Sequence, residues 1–296
     1  MKNSEVTSAD NDFTNARMKA FRESIFSILN PEKNEMLSFY DIKKLIKPKA
    51  EFYKGIQSIP LDAIAGSEGR YNDFTRAFLP KREHLRSRWR SVGVAALKDV
   101  DLPAIKVFKI NDTYFVRDGN HRVSVARQRG QVDIDAEVTE ITSEIEITPD
   151  ITIKELKSKV IDFELSRIKR NTGLAEWVDF ERIKVTAPGS YEEILRHILG
   201  HQEYLNHNSD EKISLTEAAH SWFLTIYLPV VEIILAENLI EKCPKRTETD
   251  LYIWVIKNWD NLEERYGDYP KISREGRRPV SFTLSSLFAG LKQKLF

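Results

Sequence analysis

The stretch Ala104-Ile105-Lys106-Val107-Phe108-Lys109-Ile110-Asn111-Asp112-Thr113-Tyr114-Phe115-Val116-Arg117-Asp118-Gly119-Asn120-His121-Arg122 decides the fold, because it joins two apolar runs and ends in a turn crowded with polar side chains. Ala104 to Ile110 and Thr113 to Arg117 read as strands, and Asn111-Asp112 as the two-residue turn of a hairpin, since both residues tolerate positive φ. A helix is predicted from about Asn120 to Arg129, with Val123, Ala126 and Val125 turned inward and Gly130 as its stop. Val132 to Ile141 reads as the next strand. Upstream, Ile59 to Ile64 is a short extended segment and residues 65–74 a loop. Pro80 is the predicted first residue of a basic helix reaching about Trp89.

The flanks are helical in period. Residues 13–30 put Phe13, Ala16, Met18, Phe21, Ile25, Ile28 and Leu29 largely on one stripe ended by Pro31, and Ser38 to Ile46 fits a short helix closed by Pro48. After Pro149, helices are predicted over 152–170, 190–205, 214–227, 230–241 and 248–263, and no glycine interrupts the chain between Gly200 and Gly267. The expected fold is therefore α+β. Residues 1–50 form a helical lead-in, 51–147 a small mixed-sheet domain and 148–267 an all-α domain, while 268–296 form an arm carrying Arg274, Arg277 and Arg278.

With 296 residues, 41% hydrophobic and 30% charged, the composition is that of a globular protein able to bury two cores. Its 45 basic and 45 acidic side chains cancel, so no global field holds a polyanion and any nucleic-acid contact is local. Cys243 is the single cysteine, which excludes an internal disulfide and a thiolate metal site and suits a reducing cytoplasm. The start of the chain shows no secretory pattern, and the apolar run Trp222 to Ala236 holds Pro229 and Glu232 and is shorter than the roughly 20 residues of a bilayer span, so no membrane is expected.

Chemistry is expected at Asp118-Gly119-Asn120-His121-Arg122. A strand that turns through Asp-Gly straight into a helix brings unsatisfied backbone N–H groups and the positive end of a helix dipole to one point, which attracts an anion. Gly119 permits the close turn; Arg117, Asn120, His121 and Arg122 offer further donors. The bland alternative is a turn filler in which Asp118 caps the helix. Neither Gly-x-x-x-x-Gly-Lys-Ser/Thr nor Gly-x-Gly-x-x-Gly occurs, so a P-loop and a Rossmann site are excluded.

Other groupings have two readings each. Arg82, Arg86 and Arg90 recur every fourth residue and present either a phosphate-backbone contact or a solvated face. His197 and His201 share a helix face, as metal ligands do, but hydrogen-bonded core histidines are commoner and no metal is expected. Ile213 to Ala219 is the best helix-turn-helix candidate and lacks a glycine-bearing turn. Arg246-Thr247-Glu248-Thr249-Asp250 reads as a helix start capped by Thr247 and Asp250, leaving Arg246 unassigned.

Residues 56–141 resemble the ParB/sulfiredoxin superfamily through Ile59-Pro60-Leu61-Asp62-Ala63-Ile64, then Glu68-Gly69-Arg70, then Asp118-Gly119-Asn120-His121-Arg122. Downstream, Pro188-Gly189-x-Tyr191, His197-x-x-x-His201, Tyr227-x-Pro229 and the segment Arg246 to Trp254 resemble bacterial ParB-like proteins with a helical C-terminal extension, commonly labelled transcriptional regulators. The resemblance implies a nucleotide, ATP, ADP or CTP with magnesium, held by Arg70, Arg117, Gly119, Asn120, His121 and Arg122. It implies Glu68, Asp73 or Asp118 as catalytic carboxylates if the chain is an NTP- or ADP-dependent phosphotransferase acting on a small-molecule acceptor, or an NTPase. A nucleotide-gated regulator that contacts DNA or protein, a homo-oligomer, or a ParB-like nuclease are the alternatives. Asn120 and His121 stand where sulfiredoxins carry their cysteine, so sulfinic-acid reduction by that route is excluded.

Overall fold

The computed structural model describes residues 2–29, 31–207 and 211–259. It is a mixed α/β structure with one six-stranded mixed sheet. The chain divides into two compact units, Met1–Val160 and Ile161–Phe296. The division falls inside a helix, Ile153–Thr172, rather than near residue 148, and the helical lead-in belongs to the first unit instead of standing apart. The expected arm and its Arg274, Arg277 and Arg278 lie outside the described residues.

In the first unit the helices are α1 (Lys2–Phe26), α2 (Pro31–Asn34), α3 (Phe39–Ile46), α4 (Arg86–Leu97) and α5 (Asn120–Gln128), and α6 (Ile153–Thr172) begins there. The strands are β1 (Leu37–Ser38), β2 (Glu51–Pro60), β3 (Ile64–Ser67), β4 (Ile105–Ile110), β5 (Thr113–Asp118) and β6 (Asp133–Ile141), in the order β1-β3-β5-β4-β6-β2. The β4–β5 hairpin turns at Asn111, whose φ is 51°, as the Asn-Asp pair leads one to expect. α5 stops at Gly130, φ 73°. β1, β3 and β5 are mutually parallel neighbours, so the chain leaves all three at one sheet edge.

Alternation along β5 sends successive side chains to opposite faces. Tyr114 and Val116 join Val107, Ile64, Val123 and Trp89 in the core under α4 and α5. Phe115 faces the other way, where Phe39 of α3 stacks on Phe108 at 4.2 Å and meets Phe115 at 5.8 Å. Trp89 Nε1 donates to Ser124 Oγ at 2.8 Å, fixing α4 against α5.

Three expectations change. The extended segment before Ile64 is a ten-residue edge strand, β2, paired with β6 alone. Pro80 does not open a helix: it bridges Phe74, and α4 starts at Arg86 and runs on to Leu97. On α1 the buried side is Ala9, Phe13, Ala16 and Ala20, with Ala9 closing against Gly93 of α4 and Phe13 edge-on to Trp89 at 5.7 Å. Met18, Phe21, Ile25 and Ile28 are exposed, because small residues allow close helix approach on the Ala9–Ala20 side.

The described part of the second unit is helical: α7 (Ser190–His207), α8 (Leu215–Trp222), α9 (Leu228–Ala236), α10 (Leu239–Lys242) and α11 (Glu248–Lys257). A π turn over Phe223–Tyr227 joins α8 to α9 without a break, so the expected boundary between residues 227 and 230 vanishes. Pro229 has no N–H to offer the preceding turn, and the widened turn, in which the Leu228 amide reaches the Phe223 carbonyl, accommodates it. The joined helix, Leu215–Ala236, has 22 residues and by length and composition alone is able to cross a membrane. In this fold its Ala218, Ala219, Trp222, Tyr227 and Ile234 are buried in the unit's own core.

That core centres on hydrogen-bonded aromatics. Trp222 Nε1 donates to the Tyr252 hydroxyl at 3.0 Å, and the same hydroxyl pairs with His197 Nδ1 at 3.2 Å. Tyr252→Phe leaves both nitrogens unpaired in the interior. The expected cost is about 1–3 kcal/mol, measurable as a lower urea midpoint at unchanged slope; an unchanged midpoint refutes it. Ser214 with Glu217 and Thr247 with Asp250 form capping boxes at α8 and α11. Arg246, unassigned by sequence, reaches the Thr186 hydroxyl at 3.4 Å.

Candidate functional site

At the front of α5 the chain turns from β5 into the helix through Gly119. Gly119 is its N-cap at φ 108°, supplies no capping side chain, and accepts the first helical bond from Val123 at 3.0 Å. The amides of Asn120, His121 and Arg122 are thus left without helical partners. The Asp118 carboxylate does not cap them: it binds Arg122 Nη2 at 2.7 Å. Two polar atoms in this turn, Asn120 Oδ1 and His121 Nδ1, are shielded from solvent and have no hydrogen-bond partner, and Asn120 as a whole is 7% exposed. Buried polar atoms are normally satisfied; His121 Nδ1 can donate to a bound anion, whereas Asn120 Oδ1 is an acceptor and meets an anion only with its amide turned to present Nδ2.

The loop after β3 closes over this turn. Phe74 sets its ring edge-on to His121 at 5.4 Å. Burial holds His121 down at about 4, and the charges of Arg70 and Arg88 push the same way, with Asp73 opposing them and His84 adding to them. The imidazole is therefore neutral near pH 7 and sits in a positive field. Asp73 is the carboxylate in that field; it accepts from Arg70 Nη1 at 2.9 Å and lies 3.9 Å from His84 Nε2. Among the described residues Arg88 has no ion-pair partner. The sequence places Arg88 in the basic segment Lys81, Arg82, Arg86, Arg88 and Arg90 but off the face that Arg82, Arg86 and Arg90 share.

Two of the three arginines on that face are engaged within the unit. Arg86 and Arg90 both pair with Asp10 of α1, at 3.6 and 3.3 Å, and Glu83 binds Arg86 and Arg17.

The sheet divides the anticipated residues into two groups. Arg70, Asp73, Asn120 and His121 gather on the α5 face. Arg117 alternates with Val116 and so lies on the α3 face, its guanidinium 5.6 Å over the Phe108 ring and 3.8 Å from Glu68. Glu68 accepts there from the Tyr40 hydroxyl at 3.2 Å. Arg117 and Glu68 are accordingly corrected from phosphate ligand and base to a pair on the far side of the sheet. Arg122 is corrected as well: its side chain is 13% exposed and clamps Asp118 to the carbonyls of Pro103 and Ala104, so it shapes the turn. Asp118, held by that clamp, is not a free base.

Among the described residues no cluster of three or more His, Cys, Asp or Glu side chains is placed to hold a metal. His197 and His201 make hydrogen bonds instead, to Tyr252 and to Ser221 Oγ at 3.0 Å. Magnesium needs no such cluster when it arrives on phosphates, since it keeps waters and takes one or two carboxylates; Asp73 is the residue that suits it.

No family model, curated protein or solved structure matches this chain. The site is therefore read from its own chemistry.

Burial lowers His197 and His201 as it lowers His121. For groups depressed in the folded state, stability is full above the unfolded value near 6.5 and is lost as pH falls toward the folded value. Stability is expected to drop between pH 6.5 and about 4, with His121 contributing on the order of 2 kcal/mol once solvent screening is allowed for. Urea unfolding across that range checks it, and a midpoint flat from pH 7 to 5 contradicts it.

Proposed function

We propose that this chain is a nucleotide-binding protein of ParB/sulfiredoxin type, seating the phosphates of ATP, ADP or CTP at the start of α5. One observation carries the reading: an uncapped helix start bearing two orphaned buried polar atoms, set in the field of Arg70 and Arg88. The amides of Asn120, His121 and Arg122 and a neutral, donating His121 hold the phosphate oxygens, and Arg70 and Arg88 neutralise them. A phosphate that takes Arg70 releases Asp73 from its ion pair. Asp73 is then available as the base toward water or the hydroxyl of a small-molecule acceptor, and for magnesium carried by the nucleotide. The free thiol of Cys243 accords with a cytoplasmic setting.

A second reading, a nucleotide-gated regulator contacting DNA or protein, draws support from the shortage of acids: among the described residues Asp73 is the one carboxylate that acts on His121, and with Glu68 on the α3 face it has to serve both metal and base. Calorimetry with ATP, ADP and CTP, with and without magnesium, tests the binding. Saturable heat with one of them is expected, and no heat with any refutes the proposal. Turnover of the bound nucleotide then separates catalyst from switch.

A further inference from the structure

At the other end of α5 lies a cleft of about 590 Å³ lined by Arg76, Arg127, Lys33, Glu23, Asp62 and Gln131 with neighbouring apolar groups. Arg127 donates through Nη1 to the Arg76 carbonyl at 3.1 Å and through Nη2 to the carbonyls of Leu61 and Ile64, while the Phe78 ring lies 5.0 Å from its guanidinium. Arg76 donates through Nη2 to the carbonyls of Pro149 and Ile151, at 2.5 and 2.8 Å. Its Nη1 is buried and has no partner.

Carbonyls satisfy hydrogen bonds but carry no net charge. Neither guanidinium has a described carboxylate within ion-pair distance, so two adjacent, partly buried cations have no counter-ion in contact, and an anion that joined them would offset the cost of their burial. Burial pulls both arginines down, Arg127 to about 10. Asp62 opposes the effect at Arg127, and Asp150 and Glu155 oppose it at Arg76, each from beyond contact. Burial raises the Glu23 carboxyl and Lys19 opposes the shift. Lys33 adds a third cation to the lining.

We propose that this cleft is a second binding site, for a small molecule carrying a compact oxyanion, carboxylate or phosphate, that pairs with Arg76, Arg127 and Lys33. Its volume is within the range of small-molecule sites. Arg76 Nη1 is shielded and unpartnered, so a ligand oxyanion that entered beside it would gain a charged donor at the cost of a small side-chain shift. The site does not depend on the front of α5, and the residues of the two sites do not overlap.

The test uses the full chain with Arg70→Ala and Arg88→Ala, which disables the first site. Inorganic phosphate and succinate are titrated separately by calorimetry at constant ionic strength. One saturable event is expected; the anion that binds more tightly identifies the oxyanion. Adding Lys33→Glu, an exposed position outside the carbonyl clamps, is expected to weaken it about tenfold. Arg76→Lys, which keeps the charge and loses the fork, is expected to weaken it also; the loss of the bonds to Pro149 and Ile151 lowers the ligand-free melting temperature, so affinity is compared at a temperature where both proteins are folded. Absence of saturable binding by either anion overturns the proposal. So does binding indifferent to both Lys33→Glu and Arg76→Lys.

Discussion

Gly119→Ala is expected to destabilise the protein by about 2–5 kcal/mol and to abolish nucleotide binding in whatever fraction stays folded. Two costs coincide there. At φ 108° the backbone occupies a region that side-chain-bearing residues rarely enter, and an added Cβ would stand 2.5 Å from Ile105 Cγ2 and 2.9 Å from Ile105 Cβ. Ile105 is fully buried in β4 and has nowhere to retreat. Arg122 Nε, 3.2 Å from the same point, is tied by its guanidinium to Asp118 and two carbonyls, so the clamp is disturbed as well. Gly130→Ala is the control: its φ is 73° and nothing lies within 4 Å of its added Cβ, so only the backbone term of about 1 kcal/mol applies. Urea midpoints for the two variants at unchanged slope give the comparison. Equal midpoints would show that the contact with Ile105 carries no weight.

Much of the first unit was legible because its signals are local. An Asn-Asp pair between two β-branched and aromatic runs, Asp-Gly before a helical period, and Gly130 after it require no knowledge of the remaining chain, and β4, β5, α5 and β6 follow from them. What failed was information carried by partners. β2 shows no alternation because both of its faces stay largely exposed, so Phe52, Tyr53 and Ile56 gave no strand signal. The face carrying Arg117 was hidden for the opposite reason: Thr113 to Val116 are buried on both sides, so hydrophobicity does not tell which side bears α5. Arg82, Arg86 and Arg90 left a ligand surface and a solvated face both open because Asp10, which pairs with two of them, lies more than seventy residues earlier. The second unit's helices were legible in number of turns but not in their junction, since the π turn exists to absorb Pro229 and proline is ordinarily read as a stop.

Replacing Arg70 and Arg88 together by alanine is expected to weaken nucleotide binding by about 3 kcal/mol, on the order of a hundredfold, from the loss of two charge-assisted contacts. Stability should change little, because Arg70 is an exposed partner of Asp73 and Arg88 has no ion pair among the described residues. A second readout is independent of ligand. His121 is depressed first by burial and then by these two arginines, so their removal should raise its titration midpoint from about 4 while leaving it below 6.5, the burial being intact. The folded state then takes up its proton at a higher pH, and the acid loss of stability assigned to His121 shrinks in the variant. Arg117→Ala is the contrasting substitution: on the α3 face, over Phe108, it should leave both the affinity and the His121 midpoint as they are. Proton NMR of the histidine ring together with calorimetry reads both quantities. If Arg117→Ala weakens the nucleotide as much as the double variant does, the phosphates approach from the α3 side and the assignment of Arg70 and Arg88 fails; if the His121 midpoint stays near 4 without the two arginines, the positive field at the start of α5 has another source.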